Sequence, residues 1–93
     1  MYAVIRNYAG NNELADQLAA RQSEVVELVS AIEGFRAYYL LRTDGGCASV
    51  TVYDDASGAD ESSRAAAAWI SDHASEINAS TPQVSSGEVL FSA

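Results

Sequence analysis

The stretch Phe35-Arg36-Ala37-Tyr38-Tyr39-Leu40-Leu41-Arg42-Thr43-Asp44-Gly45-Gly46-Cys47-Ala48-Ser49-Val50-Thr51-Val52-Tyr53 decides the fold. Two runs rich in β-branched and aromatic residues flank Asp44-Gly45, a dipeptide that favours a tight hairpin. One strand is expected from Phe35 to Arg42 and the next from Cys47 to Tyr53. Working outward, each strand is joined to a helical pattern. Upstream, Leu14, Leu18, Val25, Leu28, Val29 and Ile32 recur at three- and four-residue spacing. That spacing predicts one amphipathic helix of roughly five turns. Gly10-Asn11-Asn12 offers it an Asn N-cap, Glu13 and Asp16 sit near its positive end, and Gly34 closes it at C′. Tyr2 to Tyr8, before it, reads as the first strand. Downstream, Ser57 with Asp60 and Glu61 forms a capping-box variant that opens a second helix. Its buried stripe is expected at Ala66, Trp69 or Ile70, His73 and Ile77, with Ala65 to Ala68 small enough for close approach to a sheet. Ser80-Thr81-Pro82 ends this helix, and Val84 to Phe91 supplies a fourth strand with alternation at Val89 and Phe91.

Two strand–helix–strand units joined by a hairpin specify βαββαβ, an α+β ferredoxin-like split sandwich. Residues 1–93 are expected to form a single domain. Right-handed crossovers place both helices on one face of the sheet. On the first strand Ala3, Ile5 and Asn7 are expected to face the helices, with Tyr2, Val4, Arg6 and Tyr8 on the other side. The second strand is apolar on both faces, with Phe35, Ala37, Tyr39 and Leu41 opposed to Tyr38 and Leu40. Arg36 and Arg42 share the face of Tyr38 and are expected at the dimer side. The face away from the helices has no cover within the chain, and an open apolar sheet of this size is an interaction surface. A homodimer through the sheet face is the economical answer.

Composition narrows the function classes. At 48% hydrophobic and 19% charged the chain reads as globular. A domain this small buries only about 60–65% of the surface its unfolded chain exposes, so association would add burial it lacks. Thirteen acids face five arginines and no lysine, for a net charge of −8. Nucleic acids and anionic membranes both require a basic stripe, and the arginines are scattered, so neither partner is expected. The uncharged apolar stretch around Ala65 to Ile70 is too short to cross a bilayer. Met1 leads straight into strand-like sequence, so no signal peptide is expected, and the lone Cys47 suits a reducing cytoplasm.

The side chains that carry chemistry are few. His73 is the one imidazole, the group that exchanges protons near neutrality, and it falls on the buried stripe between Ile70 and Ile77. A histidine near a helix C-terminus is also favoured there by the dipole alone. Trp69 is either a wall for a flat ligand or plain core. Asn7, on the face expected to meet the helices, needs a backbone or ligand partner. Tyr38, Tyr39 and Tyr53 carry hydroxyls that orient a polar substrate or simply fill strands. One His with one Cys makes no structural zinc site, and Gly45-Gly46 lies in a hairpin rather than before a helix, so no phosphate loop is present. Cys47, at a strand start, reads as an inert thiol.

Tyr2-Ala3-Val4-Ile5-Arg6, then Ile32-Glu33-Gly34-Phe35-Arg36 with Tyr38-Tyr39-Leu40, then Ser49-Val50-Thr51-Val52-Tyr53-Asp54 together resemble the antibiotic biosynthesis monooxygenase-type domain. The resemblance covers nearly the whole chain. It implies a dimeric α/β barrel, two ferredoxin-like units with sheets face to face, each keeping a pocket between its sheet and its helices. It also implies a cofactor-independent monooxygenase acting on a small aromatic or polycyclic metabolite, with no metal and no cofactor. In such a reaction a base removes a phenolic proton so that the carbanion-like substrate can pass an electron to oxygen. If the chain carries out such a reaction, His73 and Asn7 are the residues expected to be catalytic and Trp69, Tyr39 and Tyr53 those expected to bind the substrate. Two alternatives stay open: a non-catalytic ligand-binding or structural barrel, and the haem-degrading branch. In that branch an Asn late in the first strand matches Asn7 and a His late in the second helix falls close to His73, whereas its Trp lies earlier in the helix than Trp69.

Overall fold

The hairpin at Asp44-Gly45 sets the sheet. The computed structural model, which describes residues 1–9, 13–73 and 81–93, pairs Thr43 with Gly46 across it. Gly45 takes φ of 79°, a left-handed conformation that costs glycine nothing. The hairpin joins β2 (Phe35–Thr43) to β3 (Gly46–Tyr53). β1 (Tyr2–Ala9) pairs antiparallel with β3, and β4 (Gln83–Glu88) pairs antiparallel with the other edge of β1. The resulting order is β2-β3-β1-β4, a four-stranded antiparallel sheet. α1 (Glu13–Ala20), α2 (Gln22–Ser30) and α3 (Ala56–Asp72) pack on one face. The expected α+β ferredoxin-like βαββαβ architecture is therefore present.

The first helix is two helices. Arg21 leaves helical geometry (φ −111°, ψ 31°), and its N–H donates to the Leu18 carbonyl at 3.1 Å. The break lets two short stripes, Leu14-Ala15-Leu18 and Val25-Val29, each aim at the sheet. Gly34 does take a positive φ of 87°, but it lies in the turn beyond the C-cap Ala31. There its carbonyl accepts from Asp54 N at 2.8 Å. α3 is capped by Asp55 rather than by Ser57, because the Asp55 carboxylate accepts from the N–H groups of Ser57 and Gly58. Its close approach to the sheet is made by Gly58, Ala59 and Ser62 instead of Ala65 to Ala68. β4 stops at Glu88, so Val89 and Phe91 fall beyond it, although Val89 N still donates to the Met1 carbonyl at 2.9 Å. The expected N-cap at Asn11 or Asn12, the inward position of Ile77 and Ser80 at the end of the second helix lie outside the described residues.

The faces of β1 are the reverse of those expected. Val4, Arg6 and Tyr8 are buried under the helices, while Ile5 and Asn7 are exposed on the open side. Register is the reason: these three pair with Thr51, Ser49 and Cys47, the buried set of β3. The covered face thus carries a polar band at mid-sheet, and the more aliphatic face is left open, a choice that hydropathy alone does not predict. In β2, a bulge between Phe35 and Ala37 switches the alternation. Phe35, Tyr38 and Leu40 all turn toward the helices, while Ala37, Tyr39 and Leu41 share the open side. Arg42 is on the helix side too, where it pairs with Asp16 of α1, so it is not at the open face.

Two apolar clusters hold the layers together. One gathers Tyr8, Leu14, Leu18, Val25 and Cys47, with Tyr38, Leu40 and Trp69 packed against it. The other joins Val4, Tyr53 and Ala59 to Tyr2, Ile32 and Phe35. Truncating a buried member such as Leu14 to Ala would cost about 2–5 kcal/mol.

Candidate functional site

Between the two clusters, at the mid-sheet position where Val4-Arg6-Tyr8 passes beneath α3, the core is polar. Arg6 is only 4% exposed. Its Nη1 donates to Thr51 Oγ1 at 3.4 Å, and its Nη2 donates to Ser62 Oγ and Ser63 Oγ, both at 2.9 Å. The two serine hydroxyls spend their own protons on the Ala59 carbonyl, at 2.7 and 3.3 Å, which turns their lone pairs toward the guanidinium. No acidic side chain among the described residues forms an ion pair with Arg6. Burial pushes its guanidinium down from the usual range, opposed in part by Tyr8, Tyr38 and Tyr53. Reading the sequence did not single out this residue. The available signal was its place at an alternating position between Val4 and Tyr8, both of which are buried.

Three tyrosines surround this cation. Tyr53 is fully buried and its hydroxyl donates to the Val29 carbonyl at 2.8 Å, while its ring meets Phe35 edge-on at 5.9 Å. Tyr38 has its hydroxyl pushed up to about 12, chiefly by burial and next by Tyr8. Burial likewise raises Tyr8, Tyr53 and the Cys47 thiol, which keeps Cys47 a poor nucleophile. A small cavity of about 40 Å³ lies among Arg6, Tyr8, Tyr38, Ser49 and Trp69. Past the same Arg6 and Tyr8 opens a larger cleft of about 390 Å³, walled by Ser63, Ala66 and Ile70 of α3 and by Val84 of β4. A third hollow of about 310 Å³ sits between α2 and β2, against Val25, Tyr38 and Leu40.

The residues expected to form the site are divided between two faces. Trp69 lines the small cavity. Its ring stacks on His73, centroids 4.3 Å apart and planes at 29°. His73 caps the C-terminus of α3, and its Nδ1–H donates to the Trp69 carbonyl at 2.8 Å. A carbonyl only accepts, so that bond leaves Nε2 without its proton in the neutral ring. Nε2 lies 3.6 Å from Glu24 Oε1 on α2, and His73 lines none of the three hollows. Tyr53 faces the helices but is packed as core. Asn7 and Tyr39 were expected to join Trp69 and His73, but they stand on the opposite side of the sheet. Tyr39 is 61% exposed, and Asn7 pairs with Ala48 and Gln83 in the open-face register. The inverted parity of β1 separates Asn7 from the helices, and the bulge at Phe35 fixes Tyr39 outward.

Among the described residues no group of three His, Cys, Asp or Glu is placed to hold a metal ion. No helix among them is long and apolar enough to cross a membrane.

No protein-family model matches the sequence, and no curated protein matches it significantly. Solved structures do. The haem-degrader MhuD of Mycobacterium tuberculosis, determined with two haems in its active site, is 19% identical; the match covers 100% of this chain and 99% of that one with a TM-score of 0.71. SnoaB of Streptomyces nogalater, a cofactor-independent oxygenase, is 17% identical over 98% of this chain and 92% of that one, with a TM-score of 0.61. A protein of unknown function from Nitrosomonas europaea, NE2512, is 19% identical over 99% and 91%, with a TM-score of 0.73. Over nearly its full length, then, this chain has the fold of the antibiotic biosynthesis monooxygenase-type structures.

Proposed function

We propose that the chain is a cofactor-independent monooxygenase that takes a small aromatic or polycyclic metabolite between its sheet and α3, and that it works as a homodimer. The observation that carries this reading is the Trp69–His73 pair at the end of α3, beside the tyrosine-lined cavity. The bond from Nδ1–H to the Trp69 carbonyl fixes the tautomer, leaving Nε2 as the basic nitrogen. A base of this kind removes a phenolic proton and so makes a substrate electron-rich enough to react with oxygen. Because Nε2 faces Glu24 rather than a cavity wall, the substrate hydroxyl has to meet it at the α2–α3 end, past Trp69. Trp69, Tyr8 and Tyr38 supply flat apolar walls, and the larger cleft has the volume of an ordinary ligand site. In this reading Asn7 and Tyr39 take no part within the protomer and belong to the dimer face. Haem fits the described residues poorly: the one imidazole turns Nε2 toward Glu24 and lines neither cavity beside Arg6.

A second reading has support of its own. Because His73 stands behind Trp69 rather than on a cavity wall, a ligand-binding barrel without chemistry uses the same cleft. Oxygen uptake against a panel of hydroxylated aromatics separates the two. Turnover by the wild type that falls about 100-fold in His73→Ala and in Trp69→Ala supports the oxygenase. Full rates in both variants reject the assigned roles, and ligand binding without uptake favours the binding barrel. A haem titration is expected to give no Soret shift that depends on His73.

A further inference from the structure

We propose that Arg6 is an anion-recognition residue and that the cleft beside it takes a planar aromatic anion, a carboxylate or a phenolate. This rests on reading the cleft as a ligand site but requires no chemistry there, so its test measures binding and stands whether or not oxygen is consumed. The starting point is the imbalance around the guanidinium. A buried cation is costly unless paired, yet Arg6 meets only the neutral hydroxyls of Thr51, Ser62 and Ser63. Those bonds use three of its five N–H donors. No described carboxylate compensates the charge, although the chain carries thirteen acids. Arg36 and Arg42, by contrast, are exposed and each is paired with an aspartate.

The second observation is the space. Arg6 lines both the cleft of about 390 Å³ and the small cavity behind it, and Tyr8, Ala66 and Ile70 are common to both. Their walls are otherwise mostly apolar, with Val84 and Pro82 completing the outer cleft. An apolar slot holding one fixed, partly desolvated cation selects a flat ligand that carries one negative oxygen group, since charge-assisted hydrogen bonds are about twice as strong as neutral ones. The acidic surface adds no attraction for such a ligand, and at physiological salt surface charges are screened beyond about 8 Å, so the preference must come from Arg6 itself. A purely structural arginine, one that only ties β1 to α3 through hydroxyls, predicts no preference for charge.

Trp69 is the one tryptophan and lies on the adjoining cavity, so its fluorescence reports occupancy. Titrated into the wild type, 2-naphthoate should quench Trp69 and bind at least tenfold more tightly than 2-naphthamide, its neutral isostere. It should also shift the Arg6 Nε–H resonance in a proton–nitrogen spectrum, a readout that needs no variant. Arg6→Gln should abolish the preference, Arg6→Lys should keep part of it, and Arg36→Gln should leave it intact. Equal affinity for the two probes overturns the proposal. So does 2-naphthoate failing to bind at millimolar concentration, leaving the Arg6 resonance unmoved, or keeping its advantage in a folded Arg6→Gln.

Discussion

At the scale of single residues, the polar band beneath α3 sets how the core responds to pH. The Tyr38 hydroxyl is held up to about 12 from an ordinary 10.0, first by burial and then by Tyr8. An unfolded chain releases that proton near its ordinary value, whereas the folded chain keeps it until about 12. Between those points the folded state binds more protons, so stability falls as pH rises, by up to roughly 2–3 kcal/mol for a shift of this size. Below pH 10 the contribution is complete. Tyr8 and Tyr53, also raised by burial, push in the same direction. Urea unfolding at pH 9, 10 and 11 should show this decline, with a shallower slope in Tyr38→Phe. Identical slopes in the two proteins would show that Tyr38 is not the source. The carboxylate of Asp55 runs the other way: the Ser57 hydroxyl and the N–H groups of Gly58 and Ser57 hold it below the usual carboxylate range. Its cap is intact above that range and weakens as acid protonates it.

At the scale of elements, small backbone departures decide where side chains go. The break at Arg21 and the bulge before Ala37 each re-aim half an element. Gly46 marks a third tight place, because a Cβ there would lie 1.9 Å from the Tyr8 carbonyl oxygen. That obstacle is backbone and cannot rotate away. Gly46→Ala should therefore pry β3 from β1 near Tyr8 and destabilise the fold by about 3 kcal/mol or more, read as a drop in the denaturant midpoint. At Gly45 nothing lies within 4 Å, but its φ of 79° penalises a side chain for conformational reasons instead. Gly45→Ala should cost clearly less than Gly46→Ala, and the reverse order would contradict the steric account.

At the scale of the whole molecule, the open sheet face is the unfinished part. Ile5, Tyr39 and Leu41 are exposed large hydrophobics, and Val50 and Val52 share their side through the strand register. Two copies meeting through this face would bury it. Light scattering coupled to size-exclusion chromatography should give about twice the 9.8 kDa of the chain, and Tyr39→Asp with Leu41→Asp should give monomers that keep their helical circular dichroism. A wild type of about 10 kDa at micromolar concentration would remove this face as a dimer interface.

The order of elements was written in the sequence, because it depends on local signals: Asp44-Gly45 between two β-branched runs, aliphatic spacing of three and four, and Gly34 before Phe35. Trp69 and His73 were legible together for the same reason, being one helical turn apart. Which face each strand presents was not legible, because parity depends on register and on a single extra residue at the bulge. Ile5 looks like core and Arg6 like surface until pairing with Ser49 and Val50 turns Arg6 beneath α3 and Ile5 away from it. That pairing moved Asn7 off the candidate site and Arg6 into it, while the bulge in β2 turned Tyr39 outward. Sequence determined that this chain makes a four-stranded sheet with helices on one side. Only the tertiary structure decided that the covered side holds an arginine among hydroxyls, since burial of a charge becomes tolerable only when Thr51, Ser62 and Ser63, distant in the chain, converge on it.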